Sequence, residues 1–231
     1  MDFDFAAFLT WYIALVVTMV FHEAAHAWVA LLGGDRTAYE AGQVTLNPVP
    51  HVQREPFGMI VLPIISFSFW GFPLGFAHAP YNPYWADAHP KRAAVMSAAG
   101  PGANLLIAAI LLVVMKVGID MEWFEIPDRS GFGQIVVGLG GGVEGASGAI
   151  SRIISVLFFL NLLLGLFNLI PIPPLDGAGI VEGLFSGPVS GFYRVLRSNP
   201  MFSIMGIMVA WYVAGDLILP VFTWALRFIY A

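Results

Sequence analysis

Two imidazoles four residues apart, with a carboxylate between them, make up the stretch His22-Glu23-Ala24-Ala25-His26. On a helix, residues at that spacing stand on one face, so His22 and His26 can ligate the same metal ion. Glu23 is turned about 100° around the axis, close enough to work on a water held there. The chemistry such a group can do is hydrolysis by a metal-activated water, with Glu23 as general base. A catalytic zinc site takes three protein ligands and keeps a fourth position open. The chain has no cysteine, so the third ligand must be His, Asp or Glu. The motif alone is short and arises by chance in many chains. Here it lies in the apolar run from Phe8 to Leu32, where Glu23 is the only formal charge. Ionisable groups at membrane depth are costly, which points to a function for the cluster.

The elements that must hold these residues follow from composition. With 58% apolar and 11% charged residues, and a mean hydropathy of +0.80, the chain reads as an α-helical polytopic membrane protein. Residues 1–231 are expected to form one membrane-embedded domain, with a core over about 8–180 and C-terminal helices over 178–231. A net charge of −5 without a basic run makes the lipid bilayer the expected partner and excludes nucleic acid. The acidic opening Met1-Asp2-Phe3-Asp4 is unlike a secretory signal, so no cleaved leader is expected.

About 20 apolar residues cross a ~30 Å hydrocarbon core, and four segments qualify: Phe8 to Leu32, Ala93 to Met115, Ile153 to Leu175 and Met201 to Leu226. Two more, Gly58 to Gly75 and Ala178 to Leu196, are broken by Pro and Gly and read as re-entrant, interfacial or short spanning segments. Lys and Arg favour the cytoplasmic side. Placing Arg36, Arg54, Lys91, Arg92, Arg194 and Arg197 inside leaves Lys116, Arg129, Arg152 and Arg227 outside. The acids Asp2, Asp4, Asp120, Glu122, Glu125, Asp128 and Glu144 then share the outer side. In this arrangement Gly58 to Gly75 begins and ends inside, as a hairpin lining a cavity. Thr37 to Arg54 reads as short strands of a small membrane-surface sheet, and Phe76 to Tyr84 as a second hairpin. The segment 119–150 is an outer loop, and its glycine-rich part, Gly131 to Gly148, reads as flexible.

The third span ends in Asn168-Leu169-Ile170-Pro171-Ile172-Pro173-Pro174-Leu175-Asp176-Gly177, where three prolines forbid a regular helix. Asp176 is thus presented from an unwound turn. His26 lies six residues before Leu32, about 9 Å along the axis, so both groups sit toward the inner half of the membrane. Asp176 is therefore the best-placed third ligand.

His22-Glu23-Ala24-Ala25-His26, Gly42-Gln43-Val44-Thr45-Leu46-Asn47-Pro48, Ala99-Gly100-Pro101-Gly102-Ala103-Asn104 and the Asn168 to Gly177 turn together resemble the site-2 protease family of intramembrane zinc metalloproteases. The resemblance covers about residues 15 to 180, in a minimal form without PDZ-like or CBS-like modules. It implies that Asp176 is the third zinc ligand, that Asn168 holds substrate, and that the substrate is a transmembrane segment of another protein cut near the cytoplasmic face. It also implies one zinc ion and a prokaryotic cell membrane. Manganese or cobalt could occupy the same ligands in vitro.

Other polar residues divide between roles. Asn104 either positions substrate or makes a helix-to-helix hydrogen bond, and Asn161 reads as such a bond. His51 and His78 fall in inner loops as structural or solvated histidines, with resting-state metal ligation as the alternative. His89 is interfacial. Asp216 interrupts the last span, as an interior hydrogen bond, an outer-interface group or a proton path. Two other functions share the ligands: a metal-ion carrier or sensor, and an inactive relative that binds membrane helices.

Overall fold

The computed structural model describes residues 4–141 and 145–231. Asp2 and Glu144, two of the acids assigned to the outer face, and 142–144 of the glycine-rich loop lie outside the described residues.

Four helices are long and apolar enough to cross a membrane: α1 (Phe5–Leu32), α6 (Pro90–Asp120), α7 (Gly145–Asn168) and α10 (Pro200–Tyr230). The shortest, α7, has 24 residues, or about 36 Å at 1.5 Å per residue, which exceeds the hydrocarbon core. Asp4 starts α1 by accepting the Ala7 N–H at 2.9 Å. Pro90 and Pro200 start their helices at the first turn, where their missing N–H costs nothing. The helix α7 stops at Asn168, seven residues before the expected end of its span, and gives way to the proline-rich turn. The chain re-forms a helix at Asp176 as α8 (Asp176–Leu184), then turns at Gly187 into α9 (Pro188–Ser198). These two short helices account for the ambiguous segment Ala178 to Leu196.

Close approach holds the bundle together. A Cβ at Gly165 of α7 would meet Leu105 of α6 at 2.8 Å, and one at Gly206 of α10 would meet Ile172 of the proline turn at 2.9 Å. Small residues at such crossings let apolar helices touch where lipid supplies no hydrophobic drive. Phe158 and Phe159 of α7 also pack with Phe222 and Ala225 of α10.

The segment Gly58 to Gly75 is a hairpin. A π-helical turn (Phe57–Val61) runs into α4 (Leu62–Trp70), a mainly apolar stretch of 14 residues spanning about 21 Å, too short to cross. Gly71, at φ 66°, ends the helix in the left-handed region. The chain then returns extended: the Leu74 N–H donates to Ser66 Oγ at 2.7 Å, and the Phe76 N–H to the Gly58 carbonyl at 3.2 Å. The two arms therefore meet where they began, and the returning arm lies on Leu15 and Met19 of α1.

Two expectations are corrected. Thr37 to Arg54 holds no strands but two short helices, α2 (Thr37–Glu40) and α3 (Pro48–Arg54). Cap chemistry overrides the β-formers Val49 and Val52: Asn47 Oδ1 accepts the Val49 N–H at 3.0 Å, and Pro48 fixes the first helical φ. Phe76 to Tyr84 is not a hairpin either. Its chain runs without helix or strand to Asn82, which caps α5 (Pro83–Ala88). The two-stranded antiparallel sheet lies instead in the loop that follows α6, pairing β1 (Phe124–Glu125) with β2 (Val137–Gly138). That loop is anchored rather than loose, because Ser155 Oγ accepts the N–H groups of Ile135 and Val136 at 3.0 and 3.2 Å. Tyr230 Oη donates to the Ile135 carbonyl at 2.7 Å.

At the other end, Asp35 ties the loops together. Its carboxylate accepts the Thr37 N–H and hydroxyl at 2.9 and 2.6 Å and the Asn82 N–H at 2.7 Å. Burial pushes this carboxyl up, but its three donors outweigh that and hold it below the ordinary value. Its stabilising effect is thus present above the unfolded pKa of about 3.9 and is lost as pH falls through the lower folded value. Asp35→Asn is expected to cost about 1–3 kcal/mol near neutral pH. Thermal unfolding in detergent should show that deficit shrinking as acid titrates the wild type.

Candidate active site

Three side chains converge at the end of the bundle where α1 finishes and α8 begins. His22 Nε2 and His26 Nε2 are 3.0 Å apart, and Asp176 Oδ2 lies 3.1 Å from the first and 3.3 Å from the second. His22, Glu23 and His26 are 5%, 5% and 8% exposed. A tetrahedral zinc with bonds of about 2.0–2.1 Å holds its ligand atoms roughly 3.3 Å apart, so the triangle matches one face of such a site.

The donor chemistry agrees with the distances. His26 Nδ1 donates to the Met96 carbonyl at 2.7 Å, and His22 Nδ1 donates to Asn104 Oδ1. With the hydrogens on Nδ1, both Nε2 lone pairs face each other and the carboxylate. Three electron-pair donors at this separation repel unless a cation lies among them, and the set His, His, Asp suits zinc. Gly100 of α6 keeps the place open: a Cβ there would stand 2.6 Å from His22 Nε2 and closer to His26 Nε2.

Asp176 reaches this position because the chain leaves α7 early. Pro171, Pro173 and Pro174 hold the turn non-helical, with a cis bond between the last two. Gly177 follows because a side chain there would strike the carbonyl of Ile170. α10 braces the turn through Gly206.

A cavity of about 250 Å³ opens on the three donors, lined also by Glu23, Asn168 and Arg197. Glu23 Oε2 is buried with no hydrogen-bond partner among the described residues. Asn168 donates one amide hydrogen to the Leu164 carbonyl at 3.0 Å and leaves its Oδ1 without a partner among the described residues. The returning arm of the hairpin, Ala77 to Tyr81, forms one wall.

Asn104, named as a substrate contact or a helix-to-helix bond, stands behind His22 rather than in the cavity. It is fully buried and donates to Thr18 O and Asn161 Oδ1. His78 Nδ1 pairs with Glu55 at 2.9 Å, and buried His51 donates through Nε2 to the Thr45 carbonyl at 3.0 Å. Neither belongs to the donor triangle. Asp216 is exposed on α10 beside a shallow concavity with Thr223 and Arg227, so it is not an interior hydrogen bond.

Sequence reasoning missed Gly100 as a spacer and Arg197 as a cavity residue. Arg197 contacts Glu182 at 3.0 Å and donates to Tyr81 Oη at 3.3 Å, between this cavity and a second of about 520 Å³. No linear signal marks either one, since Gly100 reads as a helix-packing glycine and Arg197 as a flanking charge.

The model of peptidase family M50 matches residues 10–211, which contain all three donors and Glu23. The chain belongs to peptidase family M50. The relatives agree: YwhC of Bacillus subtilis (strain 168) is 35% identical over 176 residues, covering 74% of this chain and 67% of that protein. Rip2 of Mycolicibacterium smegmatis is 30% identical over 168 residues, 72% of this chain and 54% of that protein. Rip2 of Mycobacterium tuberculosis (strain H37Rv) is 30% identical over 167 residues, with the same coverage. Their names assign them, provisionally, to the zinc metalloproteases. The chain spans about two thirds of YwhC and about half of the Rip2 proteins. No solved structure matches. This M50 chain is thus an integral membrane metallopeptidase with a candidate zinc centre at His22, His26 and Asp176.

Gly100→Ala is expected to abolish zinc binding while leaving the fold intact, because alanine favours helix by about 1 kcal/mol over glycine. Metal content and thermal unfolding, measured on the same preparation, check this.

Proposed function

We propose that this M50 peptidase is an intramembrane zinc endopeptidase that cuts within or beside a transmembrane segment of another membrane protein. The observation that carries the proposal is Glu23 Oε2, buried and unpartnered in a cavity that also holds three convergent metal donors. His22, His26 and Asp176 would hold the ion. Bound zinc supplies a Lewis acid that polarises the scissile carbonyl and lowers the pKa of water toward 7. Glu23 takes the proton of the attacking water and returns it to the nitrogen of the leaving amine as the C–N bond breaks.

A helical substrate shields its carbonyls, so it must enter extended. The wall Ala77 to Tyr81 supports this, because its backbone N–H groups at Ala77, His78, Ala79 and Tyr81 have no partner among the described residues. An extended peptide can add to such an edge, and Asn168, with Oδ1 open, can hold its backbone. Strand addition therefore belongs to the returning arm, since the segment over 37–54 is helical.

The charge pattern supports a cytoplasmic-facing site in a prokaryotic cell membrane. Arg36 follows α1, Arg92 donates to Gly33 O at 3.2 Å, and Arg194 and Arg197 sit on α9, all at the end that carries the donors. The matched relatives are bacterial.

Purified full-length chain in proteoliposomes with a model transmembrane substrate provides the test. Glu23→Gln should keep its zinc and lose cleavage by about 10²–10⁴-fold. Cleavage at the wild-type rate would overturn the assigned base, and metal flux altered without any cleavage by the wild type would favour a carrier. Asp176→Ala should lose zinc, and undiminished zinc would refute the third ligand.

A further inference from the structure

The two zinc-ligand candidates on α1 are oriented in different ways. His26 Nδ1 donates to a backbone carbonyl, Met96 O, which can only accept. His22 Nδ1 meets a side-chain amide, and an amide can present either an acceptor or a donor. If Asn104 turned over, it would offer N–H to His22 Nδ1, the ring hydrogen would move to Nε2, and the lone pair aimed at the donor triangle would be lost.

What keeps Asn104 from turning is a chain of bonds ending on groups that cannot reverse. Asn161 Nδ2 donates to the Leu157 carbonyl at 2.8 Å and to Thr18 Oγ1 at 3.0 Å. Since a carbonyl accepts only, the Asn161 amide is fixed, and its Oδ1 must be the atom 2.8 Å from Asn104 Nδ2. The other hydrogen of Asn104 Nδ2 goes to the backbone carbonyl of Thr18 at 3.3 Å. Both amide hydrogens of Asn104 are used, and Oδ1 is left for His22. Asn104 and Asn161 are 0% and 1% exposed, so water does not compete for these atoms.

We propose that Asn104 and Asn161, with Thr18, form a three-helix amide relay that sets the tautomer of His22 and so acts as part of the metal site. Asn161 touches neither cavity nor ligand, and is a positioning residue at two removes. The proposal rests on the metal centre assigned above. It also explains why three polar side chains from α1, α6 and α7 meet in a membrane interior where one helix-to-helix bond would have sufficed.

The relay separates metal affinity from stability. Asn161→Leu removes the shorter of the two acceptors that pin Asn104 and leaves only the 3.3 Å bond to Thr18 O. Asn161→Asp keeps an acceptor for Asn104 but buries a charge, so it should be the less stable of the two. On the full-length chain in detergent, zinc affinity is read by chelator competition and stability by thermal unfolding. Asn161→Leu is expected to weaken zinc binding about 10–100-fold, the range for an outer-shell partner, while Asn161→Asp stays within about threefold of wild type. Should Asn161→Leu not fold, Asn161→Ser, too short to reach Asn104, should give the same loss. The proposal is overturned if the Leu or Ser variant binds zinc like the wild type, or if affinity follows stability so that Asn161→Asp binds no better than Asn161→Leu. A wild type that binds no zinc overturns the metal centre and the relay with it.

Discussion

Bringing two imidazole lone pairs and a carboxylate within 3.0–3.3 Å of one another, inside an apolar bundle, is the constraint on which the structure turns. In water such groups would be solvated and could drift apart. Here they are held where solvation is poor, so each remaining polar atom around them needs a protein partner or a ligand. The Met96 carbonyl, the Asn104 amide and the open atoms of Glu23 and Asn168 are the visible consequences. Partners behind the donors are filled, and atoms facing the cavity stay open.

Meeting that constraint shapes the helices. α1 carries two donors on one face because they are four residues apart, but a straight α7 would carry Asp176 past them. Three prolines unwind the chain after Asn168, and Gly206 of α10 lets that turn seat closely. Gly100 on α6 completes the arrangement by lacking a side chain where one would fill the centre. The hairpin contributes backbone instead: Gly71 reverses the chain so that Ala77 to Tyr81 runs along the cavity without becoming a strand of any sheet.

Much of this was legible in the residues. Uncharged length found the four spanning helices, and the spacing of His22, Glu23 and His26 with the prolines before Asp176 found the donors, because these signals are local and periodic. The hairpin over 58–75 followed from Pro and Gly in an apolar run whose ends share a side. The surface strands did not, since Val49 and Val52 have β preference while Asn47 and Pro48 cap a helix, and at seven residues the cap decides. Asn104 was ambiguous for a different reason. Its role depends on which atoms of Thr18, His22 and Asn161 it meets, and these lie 57 to 86 positions away in sequence. Arg197 likewise gains its place from Tyr81, 116 positions away.

The central claim is a zinc ion held by two imidazole nitrogens and one carboxylate oxygen. Zinc K-edge X-ray absorption on the purified full-length chain reads that coordination shell directly. The structure predicts two imidazole ligands in a first shell of nitrogen and oxygen at about 2.0–2.1 Å, with four-coordinate geometry. A shell with a single imidazole, or a six-coordinate ion held mainly by water, would contradict it.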